Sequence, residues 1–202
     1  DGALGFDDFA AAPAIADLRP LNAYGWSKKM VDLKMAHRAL PGVGLRFFNV
    51  YGPNEYHKGS QISIVNTLYH QIVDHGRMRL FRSEREDIAD GMQQRDFVWV
   101  GDCVNVILWM LSHPKVNGIF NVGTGQARTY LDVAHAVAKA AGREPKIEFI
   151  DMPPQVAAHY QYYTCASLDR LRAAGYDAPF TSIEEGVNTY INEYLATSDP
   201  YI

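Results

Sequence analysis

Hydrophobic residues along this chain form two patterns: a spacing of three or four residues, which predicts helices, and short continuous runs, which predict strands. The two patterns alternate along the sequence. In residues 22–40 apolar side chains recur every three or four positions, which predicts a helix. Residues 44–50 form a short, continuous apolar and aromatic run, which is typical of a buried strand. The same reasoning predicts helices over 62–74, 102–111, 130–141, 168–174 and 183–195, strands over 78–81, 95–100, 118–122 and 146–150, and loops over 51–60 and 83–94.

Helix starts are marked by short polar residues. Thr129 with Asp132, and Ser182 with Glu185, have the spacing of capping boxes. Asp102 is expected to cap the helix that begins there. Helices that alternate with short apolar strands indicate an α/β fold.

Composition excludes several classes of protein. The 202 residues are 48% hydrophobic and 21% charged, which is ordinary for a globular protein and unlike a disordered one. A net charge of −4 disfavours nucleic-acid binding. We see no signal peptide and no apolar run of about 18 residues, and therefore expect a cytoplasmic protein without a membrane span. Cys103 and Cys165 are far apart and lack metal-ligand spacing, so we expect reduced thiols and no metal.

Tyr24 and Lys28 form the sharpest chemical motif. Four residues is about one helical turn, so both side chains share a face of the predicted helix. An ammonium group beside a phenol favours the phenolate, which makes tyrosine usable as an acid/base group. The pair alone also fits a structural role, because this spacing is common by chance.

Three further motifs follow in order: Leu45-Arg-Phe-Phe-Asn-Val-Tyr-Gly-Pro53, Arg95-Asp-Phe-Val-Trp-Val-Gly-Asp102 and Phe120-Asn-Val-Gly-Thr-Gly125. With Tyr24 and Lys28 they resemble the signatures of the extended short-chain dehydrogenase/reductase family, the nucleotide-sugar epimerases and dehydratases. The resemblance implies the C-terminal part of a Rossmann-like, doubly wound sheet and a smaller α/β substrate-binding domain. Residues 1–53 would then be a remnant of the dinucleotide-binding domain. Residues 54–202 would mainly bind substrate, with 96–125 returning to the Rossmann domain.

The segment Asn54-Glu-Tyr-His-Lys-Gly-Ser60 is similar, more narrowly, to the branch of this family that epimerises ADP-linked heptoses. This similarity implies epimerisation at C6 of ADP-D-glycero-D-manno-heptose for lipopolysaccharide core biosynthesis. The reaction would proceed by transient NADP-dependent oxidation and reduction, with NAD as an open alternative. Two other interpretations stay open: a different nucleotide-sugar epimerase or dehydratase, and a truncated, inactive fragment that binds sugar nucleotides.

The resemblance also implies roles for particular residues. Tyr24 and Lys58 would be the two acid/base groups, one for each face of the inverted carbon. Lys28, Val50 and Lys58 would contact the cofactor. The ADP-heptose substrate would be bound by Asn49, Ser60, Phe81, Arg82, Ser83, Glu84, Arg95 and Tyr160.

Two features depart from the family pattern. The sequence has no Gly-x-x-Gly-x-x-Gly turn, so it looks like the C-terminal three fifths of a family member, and we expect these residues alone not to bind NADP. Thr67 stands where the family often has a substrate-contacting histidine, with His70 one turn later, so either residue could make that contact. We also expect a homo-oligomer.

Overall fold

A computed structural model describes residues 12–20, 22–38, 42–157 and 160–201. The last two residues of the helix predicted over 22–40 and the first 11 residues of the predicted dinucleotide-binding remnant lie outside the described residues. The elements are α1 (Ala12–Asp17), α2 (Ala23–Arg38), β1 (Val43–Phe47), β2 (Asn49–Tyr51), a 3-10 helix (Tyr56–Gln61), α3 (Ile64–His75), β3 (Met78–Phe81), β4 (Gln94–Arg95), β5 (Phe97–Trp99), α4 (Val100–Ser112), β6 (Gly118–Val122), β7 (Arg128–Thr129), α5 (Tyr130–Ala140), β8 (Ile147–Ile150), α6 (Pro154–Ala157), α7 (Asp169–Ala173), α8 (Ile183–Tyr190) and a π-helical turn (Ile191–Leu195).

Most strand pairs are parallel. β1 pairs with β6, β2 with β5 and β3 with β8, each in parallel register, whereas β4 and β7 form a short antiparallel pair. Parallel strands that are far apart in sequence need helical connections between them. The predicted α/β class is therefore confirmed.

The single strand predicted over residues 44–50 is wrong, because the chain changes partners at Phe48. The Phe48 N–H donates to the Val122 carbonyl, and the next N–H, of Asn49, donates to the Asp96 carbonyl, both at 3.0 Å. The chain thus leaves β6 at the end of β1 and joins β5 at the start of β2. A crevice opens where neighbouring strands diverge in this way, and α/β proteins bind ligands in such crevices.

The strand predicted over 95–100 is also interrupted, at Asp96, which separates β4 from β5. Asp96 is fully buried. Its carboxylate accepts hydrogen bonds from Thr124 Oγ1 and from the main-chain N–H groups of Thr124, Gly125 and Ala166, at 2.7–3.0 Å. These donors satisfy a buried carboxylate that would otherwise be costly. Asp96 therefore fixes the segment Gly123-Thr-Gly125, which follows β6, against the β4–β5 junction.

The predicted helix starts were mostly right. Both capping boxes, Thr129 with Asp132 and Ser182 with Glu185, are formed. The expectation for Asp102 was wrong, because α4 begins two residues earlier. The Asp102 carboxylate instead accepts from the N–H and hydroxyl of a threonine just before α8, at 2.8 and 3.0 Å. It therefore joins two helices rather than capping one.

Other elements also differ from the prediction. The short elements α1, β7 and α6 were not predicted. The loop predicted over 51–60 contains the 3-10 helix, and the helix predicted over 183–195 is α-helical only to Tyr190. The remaining predicted helices and strands are present within about two residues of their expected ends.

The apolar core has two parts. In the first, α3, α5 and α8 pack with β2 and β3, around the fully buried Leu68, Val137 and Tyr190. In the second, α4 and α7 pack on β5 and β6, around Val106 and Leu171. The predicted division near residue 53 stays a prediction. Among the helices described, none is long and apolar enough to cross a membrane.

Candidate active site

A cavity of about 710 Å³ lies beside Phe48 and β2. Its wall includes β2, the 3-10 helix, residues of α3 and the ends of β3 and β8. Six of the residues predicted to contact cofactor or substrate line this cavity: Asn49, Val50, Lys58, Ser60, Phe81 and Tyr160. Residues distant in sequence thus meet at the crevice that the strand order creates.

Lys58 reaches the wall because of the turn on which it lies. The 3-10 helix is kinked at Gly59, whose φ of 55° and ψ of −122° strongly favour glycine. The Lys58 N–H donates to the Glu55 carbonyl at 3.0 Å. Its Nζ lies 3.8 Å from Glu55 Oε2, and its side chain is 39% exposed. The kink places Lys58 and Ser60 on the same cavity wall.

Arg95 lies behind the cavity wall and does not line it. Its guanidinium carbon is 5.1 Å from the ring centre of Tyr160 and 5.9 Å from that of Tyr130, which both line the cavity. The residue is buried, and its Nη1 donates to the Gln94 carbonyl at 2.8 Å. Within the described ranges no carboxylate forms a salt bridge with Arg95. A buried cation without a carboxylate suits a site for an anion.

Burial raises the pKa of the Tyr160 hydroxyl well above its usual range, and the neighbouring Tyr130 contributes to this increase. Tyr160 therefore keeps its proton at neutral pH. It can donate a hydrogen bond into the cavity but cannot serve there as a base.

The predicted nucleotide-binding segment reaches the cavity only at Phe81. Arg82 forms ion pairs with two aspartates, and the Ser83 N–H donates to an aspartate carboxylate at 2.8 Å. The Glu84 N–H donates to the Tyr162 hydroxyl at 3.0 Å. These three residues hold the turn after β3 together, and their predicted substrate contacts stay a prediction.

Tyr24 and Lys28 share one face of α2, as their spacing predicts. Lys28 Nζ lies 4.9 Å from the centre of the Tyr24 ring. Tyr24 is 71% exposed, and neither residue lines the cavity. The described part of the chain therefore does not bring the Tyr24 and Lys58 side chains onto one wall.

Of the two residues that could replace the family's substrate-contacting histidine, Thr67 lines the cavity and His70 does not. Thr67 lines the wall, and its hydroxyl donates to the Ser63 carbonyl at 3.1 Å. His70 is exposed and does not line the cavity.

Gln93 was missed because residues 83–94 carry no periodic signal. It is almost fully buried, lines the cavity and has its Nε2 3.3 Å from the carbonyls of Phe81 and Arg82. A polar residue just before an apolar strand was the one available signal for it.

Two donors on α2 suit the ribose of a nicotinamide dinucleotide. The Tyr24 hydroxyl and Lys28 ammonium are accessible donors that suit the hydroxyls of a ribose. In the described ranges no group of three or more His, Cys, Asp or Glu residues could hold a metal ion.

Comparison with known proteins shows which family this chain is similar to. The profile of the NAD dependent epimerase/dehydratase family matches residues 7–123. A curated relative from Nitratidesulfovibrio vulgaris, named ADP-L-glycero-D-manno-heptose-6-epimerase, is 53% identical over 205 residues, which is 100% of this chain and 62% of the relative. The chain thus spans about three fifths of the length of the curated relatives it matches.

Two solved structures share the fold. ADP-L-glycero-D-manno-heptose-6-epimerase of Helicobacter pylori aligns with a TM-score of 0.72 at 28% identity, covering 87% of this chain and 52% of that one. UDP-glucose 4-epimerase of Thermus thermophilus, solved in complex with NAD, aligns with a TM-score of 0.70 at 28% identity, covering 86% of this chain and 54% of that one. From the match over residues 7–123, this chain belongs to the NAD dependent epimerase/dehydratase family.

Proposed function

We propose that this chain supplies the sugar-binding side of an enzyme that inverts C6 of ADP-D-glycero-D-manno-heptose. The observation that carries the proposal is Lys58 on the wall of the 710 Å³ cavity, beside Ser60. The 53% identical relative named for this reaction supports the same substrate.

The inversion of a secondary alcohol needs proton transfer on both faces of one carbon. The hydroxyl loses its proton as the carbon loses a hydride, the resulting ketone turns within the site, and the oxygen regains a proton as the hydride returns to the opposite face of the carbon. One fixed acid/base group serves one face only. In this proposal Lys58 Nζ holds the proton on one face and Tyr24 Oη holds it on the other.

The residues present fit the nicotinamide-ribose end of a cofactor, and we propose NADP for this role. When bound, a nicotinamide dinucleotide accepts and later returns one hydride, so the reaction is redox-neutral overall. Lys28 would hold the ribose and keep its ammonium beside Tyr24. Val50, in the middle of β2, would provide apolar contact and exclude water.

In this proposal the ADP group of the substrate binds at the side of the cavity formed by Tyr130 and Tyr160. Arg95 is buried without a carboxylate among the described residues, and a guanidinium can donate two parallel hydrogen bonds to phosphate oxygens. The Tyr160 side chain lies between Arg95 and the cavity. For Arg95 to contact the phosphate, Tyr160 would have to move, or both residues would have to bind the same phosphate. Asn49 and Ser60 offer polar groups to the sugar.

The test is an epimerase assay on the full-length protein that contains these residues. We expect conversion of ADP-D-glycero-D-manno-heptose to its L-glycero epimer, measured by chromatography or NMR, with the cofactor unchanged at the end. UDP-glucose and dTDP-glucose serve as competing substrates. Conversion of either one in place of the heptose would assign a different nucleotide-sugar activity. Binding of ADP-heptose without turnover would indicate an inactive sugar-nucleotide-binding protein.

A further inference from the structure

A buried carboxylate lies directly behind Lys58. Glu55 precedes the 3-10 helix and is only 3% exposed. Its oxygens accept three hydrogen bonds: from the Ser63 N–H at 2.9 Å, from the Ser63 hydroxyl at 2.6 Å and from the Tyr190 hydroxyl at 2.9 Å. Removal of a carboxylate from water is costly unless donors replace the lost water. These three donors do so and fix the orientation of the group.

The carboxylate is held by two helices of the main core. Ser63 is the N-cap of α3, and Tyr190 is the last residue of α8 and fully buried. Asn66, on the first turn of α3, donates its Nδ2 to the Tyr190 hydroxyl at 3.2 Å. Glu55 is therefore fixed by residues from distant parts of the sequence, whereas an ordinary loop carboxylate has water on several sides.

Lys58 is linked to this fixed group at two points. Its main-chain N–H donates to the Glu55 carbonyl at 3.0 Å, and its Nζ lies 3.8 Å from Glu55 Oε2. In the described ranges Glu55 is the one carboxylate that forms a salt bridge with Lys58. A lysine side chain has a flexible four-carbon stem and loses much conformational entropy when it is held in one position. A rigid counter-charge offsets part of that cost.

We infer that Glu55 is a positioning residue that holds the Lys58 ammonium at the cavity wall. Glu55 does not line the cavity, so it acts through Lys58 rather than on a ligand. The inference rests on the proposed function, since it assigns the orientation of one of the two proposed acid/base groups. The competing explanation is that Glu55 only anchors the start of α3 through Ser63.

The first experiment compares Glu55→Gln with Glu184→Gln in the full-length protein. Glu184 is a matched control, because it is also paired with a basic side chain, Arg128, but lies outside the cavity wall. We expect Glu55→Gln to lower kcat about 100-fold with little change in KM, because a misplaced group affects the reacting geometry more than binding. Glu184→Gln should keep both constants. An unchanged kcat in Glu55→Gln would overturn the inference.

A double-mutant cycle with Lys58→Met separates positioning from general loss of structure. If Glu55 acts through Lys58, then adding Glu55→Gln to Lys58→Met should lower kcat by less than about twofold further. A purely structural role would give a full additional decrease, and that result would contradict the inference. Should Glu55→Gln fail to fold, Tyr190→Phe, which removes one donor to the carboxylate, enters the same cycle with the same expectation.

The outcomes separate this inference from the proposed function. A wild-type protein that does not epimerise ADP-heptose would refute the proposed function. An active wild-type protein whose Glu55→Gln variant behaves like Glu184→Gln, or adds its full loss to Lys58→Met, would refute the role of Glu55 alone.

Discussion

Lys58 and Tyr24, the two proposed acid/base residues, are held by the chain in contrasting ways. Lys58 is tied to a buried carboxylate that two core helices hold, and it lines a cavity. Tyr24 is exposed on α2, and Lys28 lies beside its ring, one turn along the same helix. The motif that was clearest in the sequence is thus organised locally, whereas the weaker Lys-Gly-Ser signal is organised by long-range contacts. A short-range spacing can specify a helix face, but a site needs contacts between distant segments.

The largest expected effect compares the two residues directly. In the full-length protein, Lys58→Met and Tyr24→Phe should each lower the rate of epimerisation by about two to four orders of magnitude, because each removes one acid/base group. Rates are measured with ADP-D-glycero-D-manno-heptose at saturation.

A matched control is His70→Ala, which changes an exposed residue outside the cavity. Near-normal activity of Lys58→Met would make Lys58 a solvated loop charge. Partial reactions on a single face, such as dismutation of an aldehyde analogue, should be less affected in each variant than inversion.

The same substitution in the two regions should affect stability differently. A Cβ at Gly186, on α8, would overlap the Tyr51 hydroxyl, whereas a Cβ at Gly25, on α2, would lie 3.2 Å from the nearest carbon, on Pro20. We expect Gly186→Ala to lower the free energy of unfolding by about 1–3 kcal/mol. Gly25→Ala should change it by about 1 kcal/mol or less.

Urea denaturation of both variants measures these differences. Tyr51→Phe, which removes the overlapping hydroxyl, should recover part of the loss in the Gly186→Ala background. Equal stability of the two alanine variants would contradict the close approach of Tyr51 to α8.

Arg95 tests whether the nucleotide end belongs to the Lys58 region. Arg95→Lys keeps the charge but loses the planar pair of donors. If the guanidinium binds phosphate, KM for ADP-heptose should rise about tenfold while kcat falls less, because the contact exists before and during the reaction. Steady-state kinetics of the full-length protein decide this, and an unchanged KM would leave Arg95 as a packing residue beneath Tyr160.

The smallest expected effect concerns Thr67. It lines the cavity, and its hydroxyl, which donates to the Ser63 carbonyl, can accept a hydrogen bond from a ligand. Thr67→Val should raise KM about two- to tenfold, the range for one neutral hydrogen bond, and should leave kcat near its normal value. A larger effect on KM from His70→Ala than from Thr67→Val would reverse the assignment.

The sequence predicted local structure well and long-range structure poorly. The capping boxes at Thr129 and Ser182 depend on residues three positions apart, and both are present. The breaks at Phe48 and Asp96 were not predicted, because each depends on which strand lies alongside. Asp102 looked like a helix cap but binds a residue 79 positions later. No local pattern encodes such a partner.

The candidate site shows the same division. Lys58, Ser60 and Tyr160 were predicted by resemblance and meet at one cavity. The role of Glu55 was not predicted, although it lies within the quoted segment, because its importance comes from burial and from Tyr190, 135 positions later. An acidic residue three positions before a lysine is a common pattern, and only its burial distinguishes it.

The most direct test of the central claim is a crystal structure of the full-length protein with its nicotinamide cofactor and ADP-heptose bound. We predict that the heptose occupies the cavity beside β2, with Lys58 Nζ within about 3 Å of the C6 hydroxyl oxygen. Tyr24 Oη should approach the same carbon from the opposite face. A heptose bound elsewhere, or a Lys58 side chain turned away from it into solvent, would contradict the account.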